Sequence, residues 1–147
     1  MTNVGVLGVT GYTGQELVKL LFYHPSFTIN KLFSTSFEGE YSKISSNLNA
    51  SKLPLVEPFS VQSCCSLDII FLAVPHTKSM KIVHEITQAV PDLKIVDLSA
   101  DFRLRDASVF EQNYGVSHEF KSMVSTFVYG LPELYKQQLE LAQYCAN

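Results

Sequence analysis

The sequence has few cysteines, and their spacing does not suit metal or disulfide chemistry. Cys64 and Cys65 are adjacent and Cys145 lies near the end of the chain, an odd number that builds neither a disulfide framework nor a Cys-x-x-Cys metal pair. The four histidines are scattered, without His-x-x-x-His spacing, so we expect no metal site. Each cysteine is interpreted as a buried or incidental thiol.

The sequence also lacks the features of nucleic-acid-binding, membrane and secreted proteins. Only two of its 11 basic residues are arginines and the lysines are scattered, so no basic stripe suited to nucleic acid is present. The longest apolar runs, such as residues 69–74, are far shorter than the ~20 residues of a membrane helix. Met1 is followed at once by a strand pattern, so no secretory signal is visible. We therefore expect a cytoplasmic protein without nucleic-acid or membrane partners.

Segments typical of strands alternate with segments typical of helices along the 147 residues, of which 46% are hydrophobic. Apolar runs predict strands at residues 4–9, 28–33, 67–74, 93–98 and 127–129. Helical spacing and capping residues predict four helices: from Tyr12 to the His24-Pro25 pair, over 77–89 with Thr77 as N-cap, over 106–114 capped by Asp106, and over 132–143. Residues 37–66 are predicted as mostly loop, with a short strand near 54–57. This order indicates an α/β fold, a doubly wound, mainly parallel sheet of the Rossmann type in a single domain over residues 1–147.

Four of the seven glycines fall within ten residues at a spacing of three: Gly5, Gly8, Gly11 and Gly14. The last three lie where the first strand turns into the first helix, which is where a doubly wound sheet binds a pyrophosphate. Their spacing is GxxGxxG rather than the common GxGxxG, but the strand before and the helix after favour nucleotide binding over a structural turn. Gly5 lies inside the strand and is interpreted as packing. The predicted cofactor-binding residues of this turn are Gly8, Thr10, Gly11, Tyr12, Thr13 and Gly14.

The end of the second predicted strand bears on the choice of dinucleotide. NAD-binding domains of this type carry an acidic residue there that accepts from the ribose 2′-hydroxyl. This chain has Ser34, Thr35 and Ser36 instead, and hydroxyls accommodate a 2′-phosphate that a carboxylate would repel. NADP is therefore the predicted cofactor. Glu38 and Glu40 follow closely, which weakens the preference over NAD.

Four strings in order along the chain resemble the N-acetyl-γ-glutamyl-phosphate reductases of arginine biosynthesis, which are similar to aspartate-semialdehyde dehydrogenases. They are GVTGYTGQEL at 8–17, FLAVPH at 71–76, DLSADFRL at 97–104 and VYGLPEL at 128–134. The resemblance implies reduction of N-acetyl-γ-glutamyl phosphate by NADPH to a semialdehyde, with release of phosphate and through a cysteine nucleophile. In the family that cysteine belongs to an Asn-Pro-Gly-Cys run that follows the segment QYCAN, here residues 143–147. The resemblance thus implies that this chain holds no catalytic residue and that Cys145 is not the nucleophile.

The same resemblance implies that a second domain, with the catalytic histidine, much of the substrate pocket and the interface of a homo-oligomer, belongs to the full-length enzyme. Arg103 is the predicted contact to the substrate phosphate, because a guanidinium matches phosphate geometry; an ion pair with Asp97 or Asp101 is the alternative. Pro75 and His76 are predicted on the cofactor side, with a loop-positioning role for His76 favoured over acid–base catalysis. His118 is assigned no role beyond surface or loop contacts.

Three alternatives to this interpretation are a short-chain dehydrogenase, a nucleotide-sensing or regulatory domain, and a reductase similar to the aspartate-semialdehyde dehydrogenases. Short-chain dehydrogenases share the early glycines but need a Tyr-x-x-x-Lys pair, and no tyrosine here has a lysine four residues later. A nucleotide-sensing domain without catalysis would explain the missing nucleophile, but it gives no reason for the strings at 97–104 and 128–134.

Overall fold

Residues 1–46 and 48–147, which the computed structural model describes, fold around one seven-stranded sheet. Its strands are β1 (Thr2–Leu7), β2 (Phe27–Ser34), β3 (Val56–Pro58), β4 (Ile69–Leu72), β5 (Lys94–Asp97), β6 (Val128–Tyr129) and β7 (Tyr144–Ala146). They lie in the order β3-β2-β1-β4-β5-β7-β6, and all neighbouring strands run parallel. The predicted parallel α/β fold is confirmed.

Helices cover both faces of the sheet, because successive side chains of a strand point to opposite faces. Helix α1 (Tyr12–Phe22) packs Val18 against Val4 and Val6 of β1 in one buried cluster. On the other face, helix α2 (Ser79–Ala89) packs Val83 in a second cluster that contains Leu7 of β1. Helix α3 (Ala107–Tyr114) adds to the second cluster, whereas α4 (Pro132–Leu141) has no buried residue. No helix in the described part of the chain is long and apolar enough to cross a membrane.

The strand register aligns the carboxyl ends of the central strands in one row. Leu7 of β1 is paired with Phe33 on one side and Leu72 on the other, Leu72 with Asp97, and Asp97 with Ala146. The chain leaves β1 toward β2 on one side of the sheet and returns to β4 on the other side of β1. Open α/β sheets bind ligands in the crevice at such a switch of direction, outside the carboxyl ends of the strands.

The C-terminal strand β7 is a feature that the sequence analysis missed. It lies between β5 and β6, with Ile95 opposite Tyr144 and Val128 opposite Cys145. A three-residue strand carries no periodic pattern, so only its pairing with two neighbours defines it. The helix predicted over 132–143 accordingly ends at Leu141, and its backbone breaks at Tyr135.

The start of α2 also differs from the prediction. Thr77 is not its N-cap: the helix begins at Ser79, Lys78 is the N-cap residue, and Lys78 makes no side-chain capping bond. Thr77 instead has a left-handed backbone with φ of 70°. At α3 the predicted cap is confirmed, since the Asp106 carboxylate accepts from the Ser108 amide at 2.8 Å.

The segment predicted as mostly loop, residues 37–66, contains strand β3 and three short 3-10 helices at Tyr41–Lys43, Ala50–Lys52 and Gln62–Ser66. The strand expected near 54–57 is therefore confirmed at a shift of one to two residues. Asn47, which the predicted loop includes, lies outside the described residues.

Candidate functional site

The turn from β1 into α1 brings backbone segments into unusually close contact. Gly8 has φ of +95°, and a Cβ there would overlap the carbonyl of Ala73 after β4. A Cβ on Gly14, in the first turn of α1, would overlap the carbonyl of Gly8. Around Gly11, in contrast, the nearest atom to an added Cβ is the Gly8 oxygen at 3.6 Å. Gly8 and Gly14 are therefore required by the fold itself, whereas the protein leaves open space at Gly11.

The amino terminus of α1 offers backbone donors that the protein does not use. Its N-cap, Gly11, provides no side-chain hydrogen bond, and the first turn contains no acidic residue. Among the described residues, no backbone acceptor bonds the amides of Tyr12, Thr13 or Gly14. Free amides and the positive end of the helix dipole together make a site for an anion. The geometry fits a pyrophosphate group.

A cavity of about 500 Å³ lies directly beside this turn, across the switch between β1 and β4. Several predicted cofactor-binding residues line it: Gly8, Thr10, Gly11, Thr13, Thr35, Pro75 and His76. Its remaining walls are apolar and come from the strand ends: Leu7, Ala73, Val74 and Leu98. Sequence reasoning missed these four, although their positions at the ends of predicted strands were a usable signal. Of the predicted residues in the turn, Tyr12 and Gly14 do not line the cavity: the Tyr12 side chain is 93% exposed and Gly14 is buried beneath the turn.

Thr35 also borders a second cavity of about 630 Å³ beyond the end of β2, which Ser34, Ser36 and Glu38 help to line. The hydroxyl of Ser34 is buried and accepts from the Ser36 amide at 3.1 Å, so it stabilises the turn after β2. None of the described residues that line this second cavity is basic. Besides the Glu38 carboxylate, the hydroxyls of Thr35 and Ser36 are the polar side-chain groups of this lining that do not hold the turn.

His76 is fixed by a backbone hydrogen bond. Its Nδ1 accepts from the amide of Ala100 at 3.0 Å, so in the neutral ring the proton is on Nε2. The ring is exposed at the cavity mouth and lies 5.5 Å from the Tyr114 ring, centroid to centroid. The bond joins the loop after β4 to the loop after β5, as a loop-positioning role requires.

Residues 3–142 match the model of the family described as semialdehyde dehydrogenase, NAD binding domain. The chain belongs to this family. The match indicates that the domain binds a nicotinamide cofactor. Its glycine turn, the amino terminus of α1 and the cavity lie together where the strand order changes direction between β1 and β4.

Relatives of this semialdehyde dehydrogenase domain include enzymes with different substrates. The N-acetyl-gamma-glutamyl-phosphate reductase of Magnetococcus marinus is 38% identical over 99% of this chain. A protein of Pyrococcus abyssi whose name gives LysW-L-2-aminoadipate and LysW-L-glutamate phosphates as substrates is also 38% identical, over 100% of the chain. In each case the chain spans 42% of the relative's length. The aspartate semialdehyde dehydrogenase of Francisella tularensis has a TM-score of 0.68 at 16% identity, over 99% of this chain and 36% of that one, so it shares the fold.

The semialdehyde dehydrogenase domain buries two carboxylates, Asp97 and Asp101, with Ser79 between them. The Ser79 hydroxyl lies 2.8 Å from Asp97 Oδ2 and 3.0 Å from Asp101 Oδ2. Asp97 also accepts from the amide and hydroxyl of Ser99. Burial raises the pKa of Asp97, and these hydrogen bonds offset only part of the rise. Ser79, Asp97, Ser99 and Asp101 therefore form one buried network at the carboxyl end of β5.

Arg103 is not part of that network. The predicted alternative of an ion pair with Asp97 or Asp101 is wrong for the described structure, because the guanidinium donates to backbone carbonyls instead. Its Nη2 lies 3.2 Å from the Ser99 oxygen and 2.8 Å from the Asn147 oxygen. The Nε is buried and has no partner among the described residues. Arg103 thus keeps an unused donor beside the carboxyl end of β5.

Cys145 is poorly suited to be a nucleophile. It is half-buried on β7, and burial, together with the negative charge of Asp97, raises the pKa of its thiol. A reactive cysteine needs the opposite shift, since only the thiolate attacks. Cys64 is fully buried, and burial raises the pKa of its thiol to about 11. Among the described residues, no group of three or more potential metal ligands is found.

His118 is more deeply embedded than predicted. Its side chain is 1% exposed rather than at the surface. The ring Nε2 lies 2.8 Å from the backbone oxygen of Asp101, and Nδ1 accepts from the Phe120 amide. Because both ring nitrogens are used, His118 joins the loop after β5 to the segment after α3. The sequence offered no signal for this, since the bond that draws His118 inward is to the backbone oxygen of Asp101, 17 residues away.

Proposed function

We propose that this chain is the cofactor-binding domain of an NADPH-dependent acyl-phosphate reductase that converts N-acetyl-γ-glutamyl phosphate to N-acetylglutamate semialdehyde in arginine biosynthesis. The observation that carries the proposal is the uncapped amino terminus of α1, which opens at Gly11 into the cavity at the β1–β4 switch. Bound NADPH supplies the hydride. The amides of Tyr12, Thr13 and Gly14 bind its pyrophosphate, and Thr10 adds a polar group on the cavity wall.

The preference for NADPH over NADH rests on the end of β2. Thr35 and Ser36 present hydroxyls at the second cavity, while the Ser34 hydroxyl holds the turn. A 2′-phosphate accepts hydrogen bonds from such hydroxyls, and the residue that ends β2, Ser34, has no carboxylate to accept from a 2′-hydroxyl. Glu38 lines the same cavity and opposes a phosphate by charge, so the expected preference is modest.

The substrate phosphate is assigned to Arg103. Its Nη2 is anchored by the carbonyls of Ser99 and Asn147, which fixes the plane of the guanidinium, and its Nε is an unused donor. A guanidinium with a fixed orientation binds an anion through its permanent charge and charge-assisted hydrogen bonding. The nucleophilic cysteine is assigned to a segment that follows Asn147 in a longer protein. A second domain of that protein would complete the substrate pocket and form the homo-oligomer interface.

The cofactor assignment is tested by titrating the protein with NADPH and with NADH in a calorimeter. We expect saturable binding of both cofactors, with the tighter binding for NADPH. We expect Ser36→Ala to lower the affinity for NADPH and to leave the affinity for NADH unchanged. Ser42→Ala, a hydroxyl outside both of these cavities, is the matched control and should change neither affinity. Equal affinities for the two cofactors would refute the NADPH preference, and no binding of either would refute the cofactor site.

The anion assignment of Arg103 is tested with inorganic phosphate as the probe. Phosphate should shift the ¹H and ¹⁵N resonances of the Arg103 Nε–H group saturably, and Arg105→Lys should leave that shift unchanged. A phosphate titration that moves other resonances but not this one would refute the assignment.

A further inference from the structure

The first turn of α2 is capped by a residue from elsewhere in the chain. Its own N-cap residue, Lys78, makes no capping bond. Asp101, in the loop after β5, accepts from the Thr77 amide at 2.6 Å through Oδ1 and from the Met80 amide at 3.1 Å through Oδ2. A carboxylate is a strong acceptor for such amides and favourable at the positive end of a helix. The Asp101 side chain therefore caps α2 in place of a local Ser, Thr or Asp.

The same carboxylate holds a strained residue. Thr77 has φ of 70°, a conformation that a β-branched residue rarely adopts and that persists only when the surroundings impose it. Its amide is the donor of the 2.6 Å bond to Asp101. Releasing that bond would allow Thr77 to relax toward an ordinary backbone conformation, and residues 75–78 would move with it.

This loop forms one wall of the cofactor cavity. Pro75 and His76 line the cavity, and His76 immediately precedes the strained residue. The loop after β5 holds this wall at two points, through Asp101 at Thr77 and through the Ala100 amide at the Nδ1 of His76. Movement at Thr77 would therefore break the His76 bond and change the cavity shape.

Asp101 is itself rigidly placed. It is 1% exposed, its amide donates to the Ser99 hydroxyl at 3.1 Å, and its Oδ2 lies 3.0 Å from the Ser79 hydroxyl. The backbone oxygen of Asp101 lies 2.8 Å from the Nε2 of His118. Because these hydrogen bonds fix the Asp101 side chain, they also fix the two residues whose amides it bonds, Thr77 and Met80.

We propose that Asp101 is a positioning residue for the cofactor cavity: it caps α2, holds Thr77 in its left-handed conformation and thereby fixes His76 at the cavity wall. The inference rests on the proposed function for its consequence on NADPH, but the positioning of His76 is independent of any cofactor.

The test compares Asp101→Asn with Asp106→Asn, the matched control, because Asp106 is also a carboxylate that caps a helix, the local N-cap of α3, but it does not line the cavity. The variant Asp101→Asn replaces one acceptor oxygen by a donor, so it cannot bond both amides. We expect the two ring ¹⁵N shifts of His76 in the cofactor-free protein to converge, because the fixed Nε2–H tautomer is lost. NADPH affinity should fall roughly tenfold, the factor that corresponds to one lost hydrogen bond to a charged group. Asp106→Asn should lower the melting temperature while leaving both the His76 shifts and NADPH affinity unchanged.

Unchanged His76 shifts and unchanged NADPH affinity in Asp101→Asn would show that Asp101 only stabilises the fold, and the proposal would be overturned. If the unmodified protein binds no NADPH, the proposed function fails, and the His76 shifts alone decide the positioning role. If Asp101→Asn does not fold, hydrogen exchange of the Thr77 amide in the unmodified protein decides. Slow exchange supports the proposal, and exchange at the rate of an unstructured peptide overturns it.

Discussion

The carbonyl of Gly8 lies where a Cβ on Gly14 would have to sit. This relationship joins the end of β1 to the first turn of α1 and leaves no room for any side chain between them. It also separates two kinds of glycine in one turn, because Gly11, midway between the two, has no protein atom closer than 3.6 Å to an added Cβ. The fold requires Gly14, whereas the open space at Gly11 is available to a ligand.

The pair Gly14→Ala and Gly11→Ala tests this separation. Gly14→Ala should lower the free energy of unfolding by about 3 kcal/mol, the upper end of the usual overpacking cost, because the Cβ meets backbone that cannot move aside. Gly11→Ala should change stability by no more than about 1 kcal/mol, since only the cap quality changes. It should nevertheless abolish NADPH binding, because its methyl group enters the cavity. Urea unfolding and calorimetry measure the two effects. Normal NADPH binding by Gly11→Ala would contradict the proposal that the turn from β1 into α1 binds the cofactor.

A second prediction concerns Glu111, whose carboxylate accepts from Lys121 at 2.7 Å, from the His118 amide at 3.0 Å and from Ser117 at 2.9 Å. The Lys121 bond first, then the bonds from His118 and Ser117, lower the pKa of Glu111 to about 2. Because the folded pKa is depressed, the stabilisation is present above the ordinary value of 4.5 and is lost as pH falls toward 2.

Glu111→Gln should therefore lower the melting temperature at pH 7, and the difference from the unmodified protein should shrink as the pH is lowered below 4. Glu140→Gln, an exposed residue of α4, is the control and should have a small effect at both pH values. A Glu111→Gln difference that stays constant across this range would show that the charge of Glu111 contributes nothing.

Asp97 should show the opposite pH dependence. Burial raises its pKa, so the folded protein retains this proton to a higher pH than the unfolded chain does. The stabilisation that comes from protonated Asp97 is therefore fully present below the ordinary aspartate pKa. It is lost as the pH rises from that value through the raised pKa of the folded protein. Asp97→Asn mimics the neutral form, so its melting temperature relative to the unmodified protein should rise between pH 4 and pH 8. A relative melting temperature that falls over this interval would contradict the raised pKa.

The three cysteines should differ in reactivity. Cys65 is exposed, whereas burial raises the thiol pKa of both Cys64 and Cys145. At pH 7.5 an aromatic disulfide reagent should label Cys65 rapidly, and Cys65→Ser should remove that fast phase while Cys145→Ser leaves it unchanged.

The protein should also fail to reduce NADP with N-acetylglutamate semialdehyde and phosphate. Turnover that disappears in Cys145→Ser would overturn the assignment of the nucleophile to a later segment.

The sequence was sufficient to predict the elements that rest on local patterns. The apolar runs of β1, β2, β4 and β5 and the periodic apolar residues of α2 are found close to their predicted positions. The glycine turn was recognised because tight turns restrict residue type locally. Strand β7 was missed because three residues contain no pattern, and only the pairing with β5 and β6 makes them a strand.

The parts of the site that depend on distant partners could not be predicted. Thr77 is a good N-cap residue by type, yet Asp101, 24 residues later, bonds its amide and the helix starts beyond it. For Arg103 the sequence offers an anion or a nearby aspartate as the partner, but the acceptor at 2.8 Å is the carbonyl of Asn147, 44 residues away. That contact exists only because β7 inserts beside β5, which no local feature indicates.

The most direct test of the account is a titration of the ¹⁵N-labelled protein with NADPH, followed through the backbone amides at the start of α1. We predict saturable shifts of the Tyr12, Thr13 and Gly14 amides, larger than those elsewhere in the protein and absent in Gly11→Ala. Shifts confined to other regions, or none at saturating NADPH, would contradict the central claim that this helix terminus binds the cofactor.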